Sequence, residues 1–354
     1  MKIKLAILEK DISYLNRIVT VFSTKYAENF EIYSFTDPTV AVSSLDNAKI
    51  DVFIANDAFD IDVTTLPKRC GFAYFVDSVD INMENEQHAI CKFQKAELIY
   101  KQILSIYSEK AGSITGLTLD DESTKILVFN SVSGGTGAST VAAACAIHFA
   151  AQNKKVLYLN LEKFGSSDSF FEGEGQFDMS DVIFALKSKK ANLSLKLESC
   201  VKQDVHNGVY FYSSTKIALD MMELSFEDQI RLISELKLTG SYDYIVLDTD
   251  FGLDRDSLKI YRKAHSLTWV GDGSDISNSK LFRAYNALAT LEAKEDSPLT
   301  GRLSVIYNKF SNKTGKVLSD IGARNAGGAP RYEHATIPQV LKELSAMDMF
   351  DKLI

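Results

Sequence analysis

Cysteine is scarce in this chain and nowhere paired in a useful spacing. Cys70, Cys91, Cys145 and Cys200 lie far apart, with no CxxC among 354 residues. That excludes a disulfide scaffold and a thiolate metal site, and it fits a reduced, cytoplasmic protein. None of the five histidines has metal-ligand spacing to another His, Cys or acid, and His148, inside an apolar run, is expected in the core. The opening MKIKLAILEKD has too short an apolar run for a signal peptide. The longest charge-free stretch, Ile126 to Asn153, is broken by SVSGGTGAS, so it reads as a buried strand, loop and helix rather than a membrane span. An excess of basic charge is also missing. With 39 Lys+Arg against 47 Asp+Glu the net charge is −8, which speaks against broad binding to phosphate backbones. There is no internal repeat and no low-complexity segment.

What is present is ordinary globular composition, 45% hydrophobic and 24% charged, at a length that suggests about two domains. Charge divides the chain: residues 1–122 carry 12 Lys+Arg against 19 Asp+Glu, the remainder 27 against 28. Such a split points to two units with different partners. Apolar runs at Ile3–Leu8, Glu31–Ser34, Asp51–Ala55, Gly71–Val76 and Ala89–Cys91 predict five strands alternating with helices, among them Ile12–Tyr26 and Lys95–Ser108. Residues 109–124, rich in Gly, Ser, Thr and acids, read as a linker. The alternation restarts with strands at Lys125–Asn130, Val156–Leu161, Val209–Tyr212, Tyr244–Leu247, Leu267–Val270 and Leu303–Tyr307. Helices are expected at Ser225–Lys237, Ser277–Ala293 and Gln339–Ile354, the last without the basic amphipathic face of a membrane anchor. Near-continuous apolar strands imply sheets covered on both faces. The expectation is an α/β chain of two doubly wound domains, 1–108 and 125–354, joined by the linker.

The sharpest motif is Ser133-Gly134-Gly135-Thr136-Gly137-Ala138-Ser139-Thr140, between a strand and a helix. A glycine-rich turn there lets backbone N–H groups converge on phosphate, and the helix N-terminus adds positive potential. The rival reading is a tight turn with glycine for packing. Ser139 stands where a hydroxyl would ligate Mg²⁺. Asp248, after the apolar run Tyr242–Leu247, is an acid at the strand edge where open α/β sheets bind ligands.

In this order and spacing the segment resembles the deviant Walker A loop of the ParA/MinD superfamily of ATPases, Lys-Gly-Gly-x-Gly-Lys-Ser/Thr-Thr, over about residues 125–345. The resemblance implies a mostly parallel P-loop NTPase domain binding ATP or ADP with Mg²⁺. It implies nucleotide contacts from Gly134 to Thr140, a metal held by Ser139 and Asp248, and a water-positioning Glu162. Asn308 matches the adenine-recognising residue, Pro338 the nucleotide-flanking loop, and Asp248-Thr249-Asp250-Phe251-Gly252 the Walker B and second switch. Two departures stand out. Ser133 replaces the signature lysine that reaches across a dimer, and Ala138 replaces the loop lysine. An ammonium about 4 Å from a phosphate oxygen is worth roughly 4 kcal/mol at an effective dielectric of 20. Its loss removes charge stabilisation from phosphoryl transfer. Nucleotide binding with weak or no hydrolysis is expected; another cation, such as Lys163 or Lys280, could substitute for the lost lysines.

Residues 1–108 resemble a response-regulator receiver, a flavodoxin-like fold. Glu9-Lys10 stands in place of its acidic pair, Asn56 in place of the phosphorylatable aspartate, and Lys92 matches the lysine after the fifth strand. A carboxamide forms no acyl phosphate, so only Asp57, through a register shift, offers a route to phosphorylation.

A degenerate receiver ahead of a ParA/MinD-like domain resembles the TadZ/CpaE family of pilus-assembly proteins. That resemblance implies a homodimer that works with other pilus-assembly proteins to mark where a type IVb (Flp/Tad) pilus machine is built, concentrated at a cell pole. It implies no stable membrane insertion, any peripheral association running through partners. Three rivals stay open: an active ParA/MinD-type ATPase positioning DNA or cell components, a phosphorylation-gated regulator, and a scaffold that binds no nucleotide. The stretch 302–331 holds six cations and one acid, Asp320, and reads as a solvated or partner-facing surface rather than a DNA site. Lys187, Lys189, Lys190, Lys196 and Lys202 read as a solvated face.

Overall fold

The computed structural model describes all residues except 1, 79, 82, 111–123, 189–191 and 294–297. The chain packs as two units, Met1–Gly116 with Ser188–Cys200, and Leu117–Lys187 with Val201–Ile354. The expected linker thus falls almost wholly outside the described residues, as do Lys189 and Lys190.

In the first unit the strands are β1 (Ile3–Leu8), β2 (Phe30–Phe35), β3 (Val52–Asn56), β4 (Gly71–Val76), β5 (Met83–Glu84) and β6 (Gln87–Cys91). They lie in the order β2-β1-β3-β4-β6-β5, parallel except that β5 runs antiparallel to β6. Helices α1 (Ile12–Lys25) and α3 (Ala96–Lys110) bracket α2 (Pro38–Asn47) in sequence. Side chains alternate across the strands as a period of two demands. Leu5, Ile7, Val52, Ile54, Ala73 and Phe75 face α1 and α3. Ala6, Leu8, Phe53, Ala55, Phe72 and Tyr74 face α2. The sheet is therefore doubly wound, but a helix does not follow every strand. A 3₁₀ turn at Val63–Thr65 joins β3 to β4, and the β5 hairpin joins β4 to β6. Ile61, with partly buried Phe59, Val63 and Leu66, covers the face a helix would take.

Ser188 and residues 192–200, which the sequence division gives to the second domain, pack with the first. Their helix, Leu193–Cys200, lies on α3, where Tyr100 Oη donates to Glu198 Oε1 at 2.8 Å and Lys196 Nζ to Ser105 Oγ at 2.6 Å. Lys196 is buried rather than solvated.

The second unit holds β7 (Lys125–Asn130), β8 (Val156–Asn160), β9 (Lys202–Gln203), β10 (Tyr210–Phe211), β11 (Tyr244–Asp248), β12 (Ser266–Gly271), β13 (Leu303–Phe310) and β14 (Arg324–Pro330). Their order is β14-β13-β12-β7-β11-β8-β10-β9, parallel throughout save for β9. Helix α4 (Ala138–Ala151) is alanine-rich and buried from Val141 to Phe149, between the sheet and the helix Ile337–Ser345. His148 belongs to this core. Its Nδ1 lies 2.8 Å from the Ser345 carbonyl oxygen and its Nε2 3.0 Å from Asp351 Oδ1. Two expectations need correction. Strand β14 has no counterpart in the sequence pattern, because Arg-Asn-Ala-Gly-Gly-Ala-Pro has neither β-branched residues nor alternation, a composition tolerated at a sheet edge. The single C-terminal helix breaks at Ala346 and resumes as a 3₁₀ turn over Asp348–Leu353.

Candidate functional site

Between β7 and α4 the chain makes a loop that only glycine accommodates easily. Gly135 and Gly137 adopt φ of 81° and 86°, the left-handed region that costs an L side chain energy. Gly137 is also the N-cap of α4 and offers its first turn no side-chain hydrogen bond. The leading amides of a long buried helix thus point out with no intrahelical acceptor, a ready site for an anion. A Cβ on Gly134 or Gly135 would meet nothing within 4 Å, so the mouth of the loop is open.

The loop is fixed from within and from the neighbouring strands. The Ser131 hydroxyl lies 2.6 Å from the Val270 carbonyl oxygen and 2.8 Å from that of Ser133. It also accepts from the Ser133 amide at 3.1 Å and the Thr136 hydroxyl at 2.9 Å. Buried Asn308 donates from Nδ2 to the Thr136 carbonyl at 2.8 Å and lies where a Gly137 Cβ would be only 2.7 Å away. Ser133 is buried and its hydroxyl has no partner, so it cannot reach outward as the signature lysine would. Ala138 and Thr140 sit on the first turn of α4. Pro338 is exposed on the first turn of the helix Ile337–Ser345.

Strand pairing brings the acids to the same edge. Asp248, the last residue of β11, stands opposite Phe129 of β7 and Asn160 of β8. Its Oδ2 accepts from Tyr158 Oη at 2.7 Å and Asn160 Nδ2 at 3.1 Å. Its Oδ1 is buried without a hydrogen-bond partner. Burial, then the nearby Glu162 charge, push the Asp248 carboxyl up to about 8, against the pull of the Tyr158 and Ser139 hydroxyls; the Ser139 hydroxyl bears on this carboxyl although it makes no hydrogen bond of normal geometry to Oδ1. Glu162 itself accepts from Ser139 Oγ at 3.1 Å. Behind these, Tyr261 Oη accepts from Asn130 Nδ2 (2.9 Å) and the Gly252 amide (3.2 Å), tying the end of β7 to the segment after Asp248.

These residues fit a Mg²⁺ ion. An orphaned buried carboxylate oxygen, a serine hydroxyl and a second acid converge, and a divalent charge would relieve the carboxylate repulsion. Among the described residues no three His, Cys, Asp or Glu side chains cluster to hold a metal alone. Such an ion would therefore complete its shell with phosphate oxygens and water.

Neither candidate cation, Lys163 nor Lys280, makes a side-chain hydrogen bond to the loop among the described residues. Lys163 is exposed and engaged through its backbone, whose amide donates to Asp250 Oδ2 at 3.1 Å. Lys280 is exposed on helix Asp275–Glu292 and lines a groove of about 650 Å³ with Val132, Phe251, Leu253 and Ile276. The residue that reaches the loop is Lys309, whose Nζ donates to the Gly135 carbonyl at 2.7 Å. By sequence it falls in the basic stretch 302–331, which reads as a surface. The signal was its place directly after Asn308, at the end of a strand expected to reach the ligand edge.

In the first unit, Glu9 and Asn56 are wholly buried and bonded to each other, Asn56 Nδ2 lying 2.9 and 3.0 Å from the two Glu9 oxygens. Lys92 Nζ is 3.9 Å from Glu9 Oε2 and 2.7 Å from Asp77 Oδ1. Burial pulls the Lys92 ammonium down, but the Asp77 hydrogen bond and the Glu9 charge outweigh it and hold its pKa above the usual lysine value. Asp57 is exposed, outside this cluster.

Residues 1–108 match the family described as "TadZ-like, receiver domain". Among solved structures, a ParA family ATPase from Chlorobium tepidum TLS is similar at 22% identity with a TM-score of 0.50, over 65% of this chain and 96% of that one. The septum site-determining protein MinD from Pyrococcus horikoshii OT3, complexed with Mg-ADP, gives 17% and 0.48 over 65% and 94%. A plasmid partition protein from Borrelia burgdorferi gives 20% and 0.47 over 66% and 100%. No curated protein matches the sequence. No described helix is long and apolar enough to cross a membrane. The chain therefore opens, over residues 1–108, with a receiver domain of the TadZ-like family, and the remainder carries the fold of a ParA-family ATPase.

Proposed function

We propose that the protein is a nucleotide-binding, hydrolysis-poor assembly factor of a type IVb (Flp/Tad) pilus machine, working as a homodimer stabilised by ATP and concentrated at a cell pole. The observation that carries this reading is the pairing of a TadZ-like receiver with a phosphate loop whose glycine nest, Ser139 and unpartnered Asp248 oxygen are intact while both loop lysines are gone. Loop amides and the end of α4 bind and orient the phosphates. Ser139 and Asp248 would hold Mg²⁺, which when bound neutralises charge on the phosphate oxygens. Glu162 is placed to hold a water proton. Without the loop ammonium, the charge that develops on the transferring phosphoryl has less to stabilise it, so binding outlasts turnover. As a switch the protein needs only different ATP affinities in monomer and dimer.

The receiver acts as a docking module. Its buried Glu9–Asn56–Lys92 cluster is internally satisfied and lacks a carboxylate at the acceptor position. Asp57 is outside that cluster and remains the only route to an acyl phosphate.

Calorimetric titration with ATP and Mg²⁺, with light scattering and phosphate release on the same sample, tests the reading. Binding heat, a mass doubling with ATP and little phosphate release are expected. Absence of binding removes the reading, and brisk DNA-stimulated release replaces it with the active-ATPase alternative, which the retained Glu162–Ser139 contact favours.

A further inference from the structure

We propose that Lys309 is the cation of the phosphate loop, a positioning residue that supplies from β13 what Ser133 and Ala138 no longer supply from the loop itself. This rests on the nucleotide-binding reading above and adds a residue and a charge to it. Three features of the geometry converge on this residue. Its ammonium donates to the carbonyl of Gly135, one of the two left-handed glycines that shape the loop. Its own backbone is left-handed, with φ of 57°, which is uncommon for a residue with a side chain. It also sits where the pairing of β13 with β14 slips. Tyr307 pairs with Gly328 and Phe310 with Pro330, so Asn308 and Lys309 together oppose the single residue Ala329. An extra residue of this kind bends a strand and re-aims a side chain, here toward the loop.

The stem follows the glycine the loop cannot spare. A Cβ on Gly137 would stand 3.6 Å from Lys309 Cε and 3.8 Å from Nζ. Asn308 holds the next carbonyl, that of Thr136, so consecutive residues of β13 secure consecutive carbonyls of the loop. With both carbonyls engaged from this side, the loop amides are left to face the phosphates. The unit positive charge at Gly135 adds to the potential of the helix end. Lys163 and Lys280 make no such contact.

The test is calorimetric titration of the full chain with the magnesium complexes of ATP, ADP and AMP at low and high salt, using wild type, Lys309→Met, Lys309→Arg and Lys309→Gly. Lys309→Gly removes the side chain while relaxing its left-handed backbone, so it stays folded even if Lys309→Met does not. Lys309 is exposed, so water screens its charge, and loss of this clamp is expected to weaken ATP roughly three- to tenfold. The loss should grow from AMP to ATP, the salt dependence should become shallower, and Lys309→Arg should recover much of the affinity. ATP binding unchanged in Lys309→Met or Lys309→Gly overturns the proposal and leaves the nucleotide site standing. An equal loss for all three nucleotides also overturns it, assigning the lysine to shape rather than charge. A wild type that binds none of the three overturns the nucleotide site and this inference together.

Discussion

Two glycines four positions from the strand's end and seven from it carry different duties, and substitution should separate them. Gly134 has open space where a Cβ would go and no left-handed φ. Gly134→Ala should leave the melting temperature of the nucleotide-free protein within about 1 °C of wild type, as a change without a clash does. Gly137→Val forces a branched side chain into left-handed backbone and against Asn308, at a cost of order 2–4 kcal/mol, visible in a chemical denaturation curve and in lost ATP binding heat. The receiver cluster gives a second residue-scale prediction. Asn56→Asp sets a new carboxylate against buried Glu9, where the amide now lies 2.9 Å away. One of the two must then stay protonated or the domain loosens, a loss of about 2–4 kcal/mol by denaturation. Addition of an acyl-phosphate donor should label neither wild type nor this variant at Asp57. Label on Asp57 would replace the docking role with phosphorylation control.

Elements show what could be read from sequence and what could not. The buried strands of both sheets, β1, β3, β4, β7, β8, β11 and β12, announce themselves as apolar runs, because a strand covered on both faces leaves no place for charge. The phosphate loop is legible for a related reason, since few tasks need three glycines between a strand and a helix. What escaped has no local pattern. Strand β14 is held by its partner β13 rather than by its own side chains, the β3–β4 connection is a 3₁₀ turn in place of a helix, and Lys309 gains its meaning from a bulge. The C-terminal 3₁₀ turn also gives a pH prediction. Hydrogen bonds from His148, then Gln152, hold the Asp351 carboxyl below its ordinary value. A depressed carboxyl adds stability above its unfolded pKa, and that share is lost as pH falls through the lower folded value. Asp351→Asn should therefore leave a smaller drop in stability across the acid range below about pH 4, with wild type the steeper of the two in acid denaturation. Equal slopes would remove Asp351 from the account.

At the scale of the whole molecule the two units hold separate cores, and a ligand of one should report on one. Saturating ATP and Mg²⁺ at about 100 times the dissociation constant stabilises the binding unit by roughly 2.7 kcal/mol. Calorimetric scanning should show a transition that moves up with nucleotide and is blunted by Ser139→Ala, while Asn56→Asp lowers a transition that nucleotide does not move. If both substitutions shift one common transition, the units melt together.

The helix Leu193–Cys200 has a practical corollary for anyone who cuts the gene. A fragment that stops where the receiver family match ends, at residue 108, strips α3 of the cover over Tyr100 and Ser105 and leaves greasy surface in water. Such a truncated product should clump. A synthetic peptide spanning 188–200, supplied in trans, should dissolve it again, and the dose needed would measure how strongly the excursion grips its host.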